Sequence, residues 1–220
     1  MSILDIHILL GTVGLVSGFV AVASKKGCTI HRIGGLGFLI FMGASVGLGC
    51  YEAFIKPERI TVIGGLFSVY LMITGWLSVK KRSDLVRLME RLSMLVALTI
   101  ALSAFYFAYQ ALNSPEGLLD GFAFQPYVFF GVMAAIALVS DIRWSTRAIV
   151  EIWHRLTRHL SRMCVAMLIV EASVFLGQSD VFPTALQRTE ILLAPLALVG
   201  AVMIYWLVKL RLRKFPQLNE

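Results

Sequence analysis

Apolar residues in this chain come in long runs rather than in alternation. Seven runs stand out, at about 5 to 24, 33 to 54, 60 to 79, 92 to 112, 123 to 141, 159 to 178 and 190 to 210. A bilayer core of about 30 Å takes roughly 20 apolar residues per helix, so each run predicts a transmembrane helix. Backbone groups in lipid must be satisfied internally, which helices do, and the period-2 pattern of strands is missing. The predicted fold is all-α: one polytopic bundle of seven transmembrane helices over residues 1–220. The fifth run opens with Gln125 and Pro126 and closes at Asp141, with no charge from Tyr127 to Ser140. Pro126 suits a first helical turn.

Composition agrees. Hydrophobic residues make up 58% and charged residues 15% of the 220, and a mean hydropathy of +0.81 lies outside the range of soluble domains. Phosphate loops, dinucleotide fingerprints, nucleophile elbows and metalloprotease motifs are absent from the sequence.

Charge orients the bundle. Of the 20 Lys and Arg, Lys56, Arg59 and Arg188 lie on one side, and the other 17 follow runs one, three and five or lie in the tail, including Arg213 and Lys214. Positive loops stay on the cytoplasmic face, so the N-terminus is expected outside and the C-terminus inside, in a bacterial inner membrane. The net charge of +7 is then a basic membrane face that attracts anionic lipid headgroups. No nucleic-acid motif accompanies it. The first run is expected to stay as a helix, although AVAS at 21–24 resembles a signal cleavage site, because MSILDIH has no basic residue. Cys28 and Cys164 fall near the inner face and Cys50 near the outer, so no disulfide is expected.

Small residues form stripes. His7, Gly11, Gly14 and Gly18 lie within about 60° on a helical wheel. His31, Gly35, Phe38, Met42, Ser45 and Gly49 share a face of the second run, with Gly43 and Gly47 as a GxxxG pair on another. His159, Met163, Ala166, Ser173 and Gly177 do the same in the sixth. Such faces let membrane helices approach closely, and three of the four histidines head one.

The segment DIRWSTRAIVEIWHRLTRHLSR (141–162) sorts Ile149, Ile152, Trp153, Leu156 and Leu160 from Arg147, Glu151, His154, Arg158 and Arg162. This is the pattern of an interfacial helix with Trp144 and Trp153 at headgroup level, and it places Arg147, Arg155, Arg158 and Arg162 as lipid-facing basic residues.

The residues HILLGTVGLVSG (7–18), HRIGG (31–35), GLFSVYLMITGWL (65–77), RHLSRM (158–163) and FLGQ (175–178) together resemble an uncharacterised bacterial family of predicted seven-helix integral membrane proteins. The resemblance spans most of the chain. It implies the fold and the membrane location and assigns no chemistry.

Three explanations compete for the histidines. His31 and His159 head inward-facing helix ends at matching depth, which suits two imidazole ligands of one b-type haem with glycines making room; quinone chemistry could accompany it. His7 lies on the opposite side and His154 on a wet face, so a two-haem arrangement is not matched. Alternatively, Cys28, His31, His159 and Cys164 outline a zinc site, but Cys164 and His159 stand about 140° apart on their helix and no metal is expected. The third explanation is interfacial anchoring, with imidazoles bonded to neighbouring carbonyls and lipid phosphates.

Glu171 lies roughly 18 Å into its run at 1.5 Å per residue. An ionisable group at that depth is costly and marks a functional candidate. It is expected to be neutral or paired with His7, and with Glu52 it outlines an outward proton path. Internal repeats and paired broken helices, which would support transport, are not found. The simplest expected role is a non-catalytic accessory subunit that packs against a membrane-protein partner or itself. A one-haem or quinone-linked electron carrier using His31 and His159, and a proton-coupled small-solute transporter using Glu171, are the alternatives.

Overall fold

A computed structural model describes residues 2–147 and 150–212. Seven helices in it are long and apolar enough to cross a membrane: α1 (Ile3–Ala23), α2 (Thr29–Ile55), α3 (Arg59–Leu77), α4 (Asp84–Asn113), α5 (Phe124–Ser145), α6 (Ile152–Leu176) and α7 (Thr189–Leu212). No strand occurs among the described residues. The chain is a multi-pass, all-α membrane protein.

Local chemistry sets the helix ends. Ser2 and Asp5 form a reciprocal capping box on α1. The Cys28 thiol caps α2 by accepting from the His31 amide, so this helix begins four residues before the apolar run and takes His31 inside it. Ser83 caps α4 through the Val86 amide, and the helix is 30 residues long. At 1.5 Å per residue that is about 45 Å, more than a hydrocarbon core, so its polar first turns stand outside.

Glycine contacts hold α1 to α2. A Cβ at Gly14 would lie 2.7 Å from the Met42 backbone nitrogen, one at Gly11 2.9 Å from Ser45 Oγ, and one at Gly18 2.9 Å from the Phe38 ring. The stripe read from the sequence therefore faces α2 along its length, with Met167 of α6 also against Gly18. The α2 backbone loosens into a π-helical turn over Phe38–Met42 at this close approach. The GxxxG pair behaves differently, because a Cβ at Gly43 or Gly47 would meet nothing within 4 Å.

The central helix is α3, which packs against α2, α4, α5 and α6. Phe67, Met72, Ile100, Ala104, Ala134, Ala166 and Val199 belong to one continuous apolar core. Ala97, Ala101 and Ala104 of α4 are buried there, where small side chains let α4 and α5 lie close. The peripheral α7 leans on α6. Large apolar residues such as Leu95, Leu102, Phe129 and Ile136 face outward, as a helix in lipid requires.

The interfacial helix expected over 141–162 is corrected. Helix α5 runs on to Ser145 and α6 starts at Ile152, so the segment is divided between two spans. Ile149 lies outside the described residues, as do Arg213 and Lys214 of the basic tail. Part of the amphipathic pattern arises for another reason: its polar residues Arg158 and Arg162 meet a buried acid instead of water.

Candidate site at the basic end of the bundle

His31, near the start of α2, and His159, in the second turn of α6, come together at the end of the bundle that carries the α1–α2, α3–α4 and α5–α6 loops. Their ring centroids are 6.3 Å apart and their planes make an angle of 77°. His31 Nδ1 lies 2.9 Å from the Ala21 carbonyl oxygen, and His159 Nδ1 lies 2.9 Å from that of Gly75. A carbonyl only accepts, so both Nδ1 atoms carry hydrogen, and in the neutral rings both Nε2 lone pairs are left for another partner. Donation of one ring N–H to a backbone carbonyl is the usual support for a ligating histidine.

The surroundings explain the opening run of glycines after His31. Gly34 packs on α1, where an added Cβ would lie 2.9 Å from the Ser17 carbonyl oxygen. Gly35 is one turn beyond His31 on the same face, and a Cβ there would meet nothing within 4 Å. Helices α2 and α6 make no extensive backbone contact, so the two rings meet through their side chains alone. Lys26 closes the loop side, with Nζ 3.2 Å from the Ala21 oxygen and 2.5 Å from that of Val22. These carbonyls are the negative end of α1. Burial of the Lys26 ammonium pushes its pKa below the usual lysine range, partly opposed by the Cys164 and Cys28 thiols.

A charged cluster lies beside the imidazoles. Asp141 Oδ1 accepts from Arg158 Nη2 at 2.8 Å and also from Arg162 Nη2, while Tyr70 Oη donates to Oδ2. Arg162 further donates to Thr74 Oγ1 and to the Ala137 carbonyl. The Arg158 guanidinium sits 4.6 Å from the Trp144 ring centre, and Trp144 Nε1 donates to Glu90 Oε1 at 2.6 Å. Glu90 Oε2 is 3.4 Å from Arg82 Nη2. One network thus ties α3, α4, α5 and α6 together in the protein interior.

Two members of the expected lipid-facing set are therefore corrected. Arg158 and Arg162 are only 7% and 5% exposed, because Asp141, one turn before the end of α5, draws both guanidiniums inward. Trp144 is buried with them rather than at headgroup level. Arg147 is exposed. Arg155 reaches the Ser78 carbonyl at 3.0 Å and that of Lys80, fastening α6 to the α3–α4 loop. Asp141, Glu90 and Tyr70 are the site residues that the sequence reading missed. An acid closing a span, with arginines spaced i,i+4 on a following helix, was the available signal.

The outer residues stay separate. His7 Nδ1 donates to the Ser45 carbonyl at 2.8 Å, and Ser45 Oγ donates back to the His7 carbonyl at 2.8 Å. Glu52 lies 3.9 Å from Lys56 Nζ at the surface. Glu171 is fully buried, and neither carboxyl oxygen has a hydrogen-bond partner among the described residues. The expected His7–Glu171 pair does not form: His7 bonds to Ser45, and the Glu171 oxygens have no partner among the described residues. All three cysteines are free thiols.

No family model, curated protein or solved structure matches the chain.

Proposed function

We propose that this multi-pass membrane protein is a one-haem b-type electron carrier in which His31 and His159 would hold the iron through Nε2. The observation that supports the reading is the 6.3 Å separation of the two ring centroids. Two imidazoles at this separation, each with a free Nε2, would serve as a pair of ligands to one iron. The Ala21 and Gly75 carbonyls hold each ring in the tautomer that offers Nε2. Gly35, where an added Cβ would meet nothing within 4 Å, leaves room beside His31. A bound haem supplies a one-electron couple, and a lipid-soluble quinone is the partner class within reach of such a site. The clustered Lys and Arg support a bacterial inner membrane with this end cytoplasmic, and anionic lipids as its surroundings.

The experiment is a reduced-minus-oxidised visible spectrum of protein purified from haem-replete cells. A b-type spectrum that disappears in both His31→Ala and His159→Ala is expected. A colourless protein that takes up no added haem overturns the reading. Copurification of that colourless protein with a larger assembly would then favour the accessory subunit.

One observation favours a second reading. Glu171 is a fully buried carboxyl group without a hydrogen-bond partner among the described residues, as proton-handling residues inside membranes often are. Proton flux in vesicles that is lost in Glu171→Gln and kept in His31→Ala would support proton-coupled transport instead.

A further inference from the structure

The guanidiniums of Arg158 and Arg162 share the single carboxylate of Asp141, which leaves one positive charge over in a buried cluster. Nearby acids do not remove it, since Glu90 is engaged with Arg82 and Trp144 and Glu151 with Trp153 and, at 3.9 Å, His154. Two nitrogens of Arg158, Nε and Nη1, are buried with no hydrogen-bond partner among the described residues. An unmatched buried charge with unmade hydrogen bonds is costly. The cost disappears when an anion occupies the space beside it.

Such a space is present. A cleft of about 600 Å³ opens between α5 and α6, and Arg158 and Arg162 lie on its wall. Arg143 and Arg147 stand at its rim, exposed, and Thr157 and Ser161 add hydroxyls. Its other end is apolar, lined by Ala135 and by the outward-facing Ile136 and Val139. Arginine forks match the oxygens of a phosphate. We propose that this cleft binds a phosphate-ester anion, with Arg158 as the buried contact and Arg143 and Arg147 as the rim. The apolar, outward-facing end fits a phospholipid, whose headgroup would meet the arginines while an acyl chain follows α5. This site does not depend on the imidazole pair.

The test measures thermal unfolding of the delipidated, detergent-solubilised protein with short-chain phosphatidylglycerol, with inorganic phosphate, and with chloride at matched ionic strength. Phosphatidylglycerol is expected to raise Tm by about 5 °C at saturation. The double variant Arg143→Gln/Arg147→Gln, altered only at the exposed rim, should lose at least half of that shift, and Arg188→Gln at the opposite end should keep it. An equal shift with inorganic phosphate assigns the site to free phosphate, and a shift with the lipid alone assigns it to headgroups. No shift with either, an equal shift with chloride, or a shift undiminished in the rim variant overturns the proposal.

Discussion

Asp141 Oδ1 holds Arg158 Nη2 at 2.8 Å and Arg162 Nη2 at the same time. A single acid on α5 thereby fixes two turns of α6. The Asp141→Asn substitution removes the only carboxylate among the described residues that both guanidiniums contact and leaves two buried cations uncompensated. Breaking a buried pair from one side costs about 3–5 kcal/mol, and that loss is expected in denaturant unfolding of the purified protein. Asp141→Asn combined with Arg158→Gln should lose less than the two single variants added together, because the second change removes a charge the first one stranded. Strict additivity would show that the contact carries no coupling.

Backbone proximity at Gly14 gives a second expectation. A Cβ there would lie 2.7 Å from the Met42 nitrogen and 2.9 Å from its Cα, so α1 and α2 must move apart to admit a methyl group. Gly14→Ala should destabilise by about 1–3 kcal/mol. Gly43→Ala meets nothing within 4 Å and should be neutral or gain up to about 1 kcal/mol from helix propensity. Equal effects at the two glycines in chemical unfolding would refute this account of the α1–α2 contact.

These two glycines show where sequence reading stops. Helical wheels place Gly14 and Gly43 on small-residue faces alike, because a wheel records which side chains are missing and not what fills the space. Span number and length were legible, since about 20 apolar residues can do little else in lipid. Nearness of His31 to His159 was half legible: both head small-residue stripes at matching depth, but the angle between rings depends on the Ala21 and Gly75 carbonyls, which carry no sequence signal. The Asp141 cluster was hidden more thoroughly. Arg158 and Arg162 have the spacing of an amphipathic surface, and water or a buried acid gives the same pattern.

Lys26 carries a pH signature. Its ammonium is half-buried, and burial moves its pKa below 10.5 in the folded protein. Above that lowered value and below 10.5 the unfolded chain keeps a proton that the folded one has released, so stability rises with pH across that window. Below the lowered value the contribution is flat. The Tm difference between wild type and Lys26→Met should therefore move in favour of wild type as pH climbs towards 10.5, and stay constant near neutrality. A difference that moves the other way would mean that the carbonyls of Ala21 and Val22 hold the charged form more strongly than burial opposes it.

Glu171 separates a tolerated polar group from a working one. Its carboxyl oxygens are buried without hydrogen-bond partners among the described residues, and a group of that kind costs about 1–3 kcal/mol. Glu171→Met keeps the volume and removes the polar atoms, so it should stabilise the bundle by an amount in that range, measured by unfolding in detergent. Glu171→Gln keeps the polar atoms and should gain nothing. Destabilisation by Met with tolerance of Gln would reveal an interaction that needs a polar group at this depth, and the proton-handling reading would then gain ground over a carboxyl group that the fold merely accommodates.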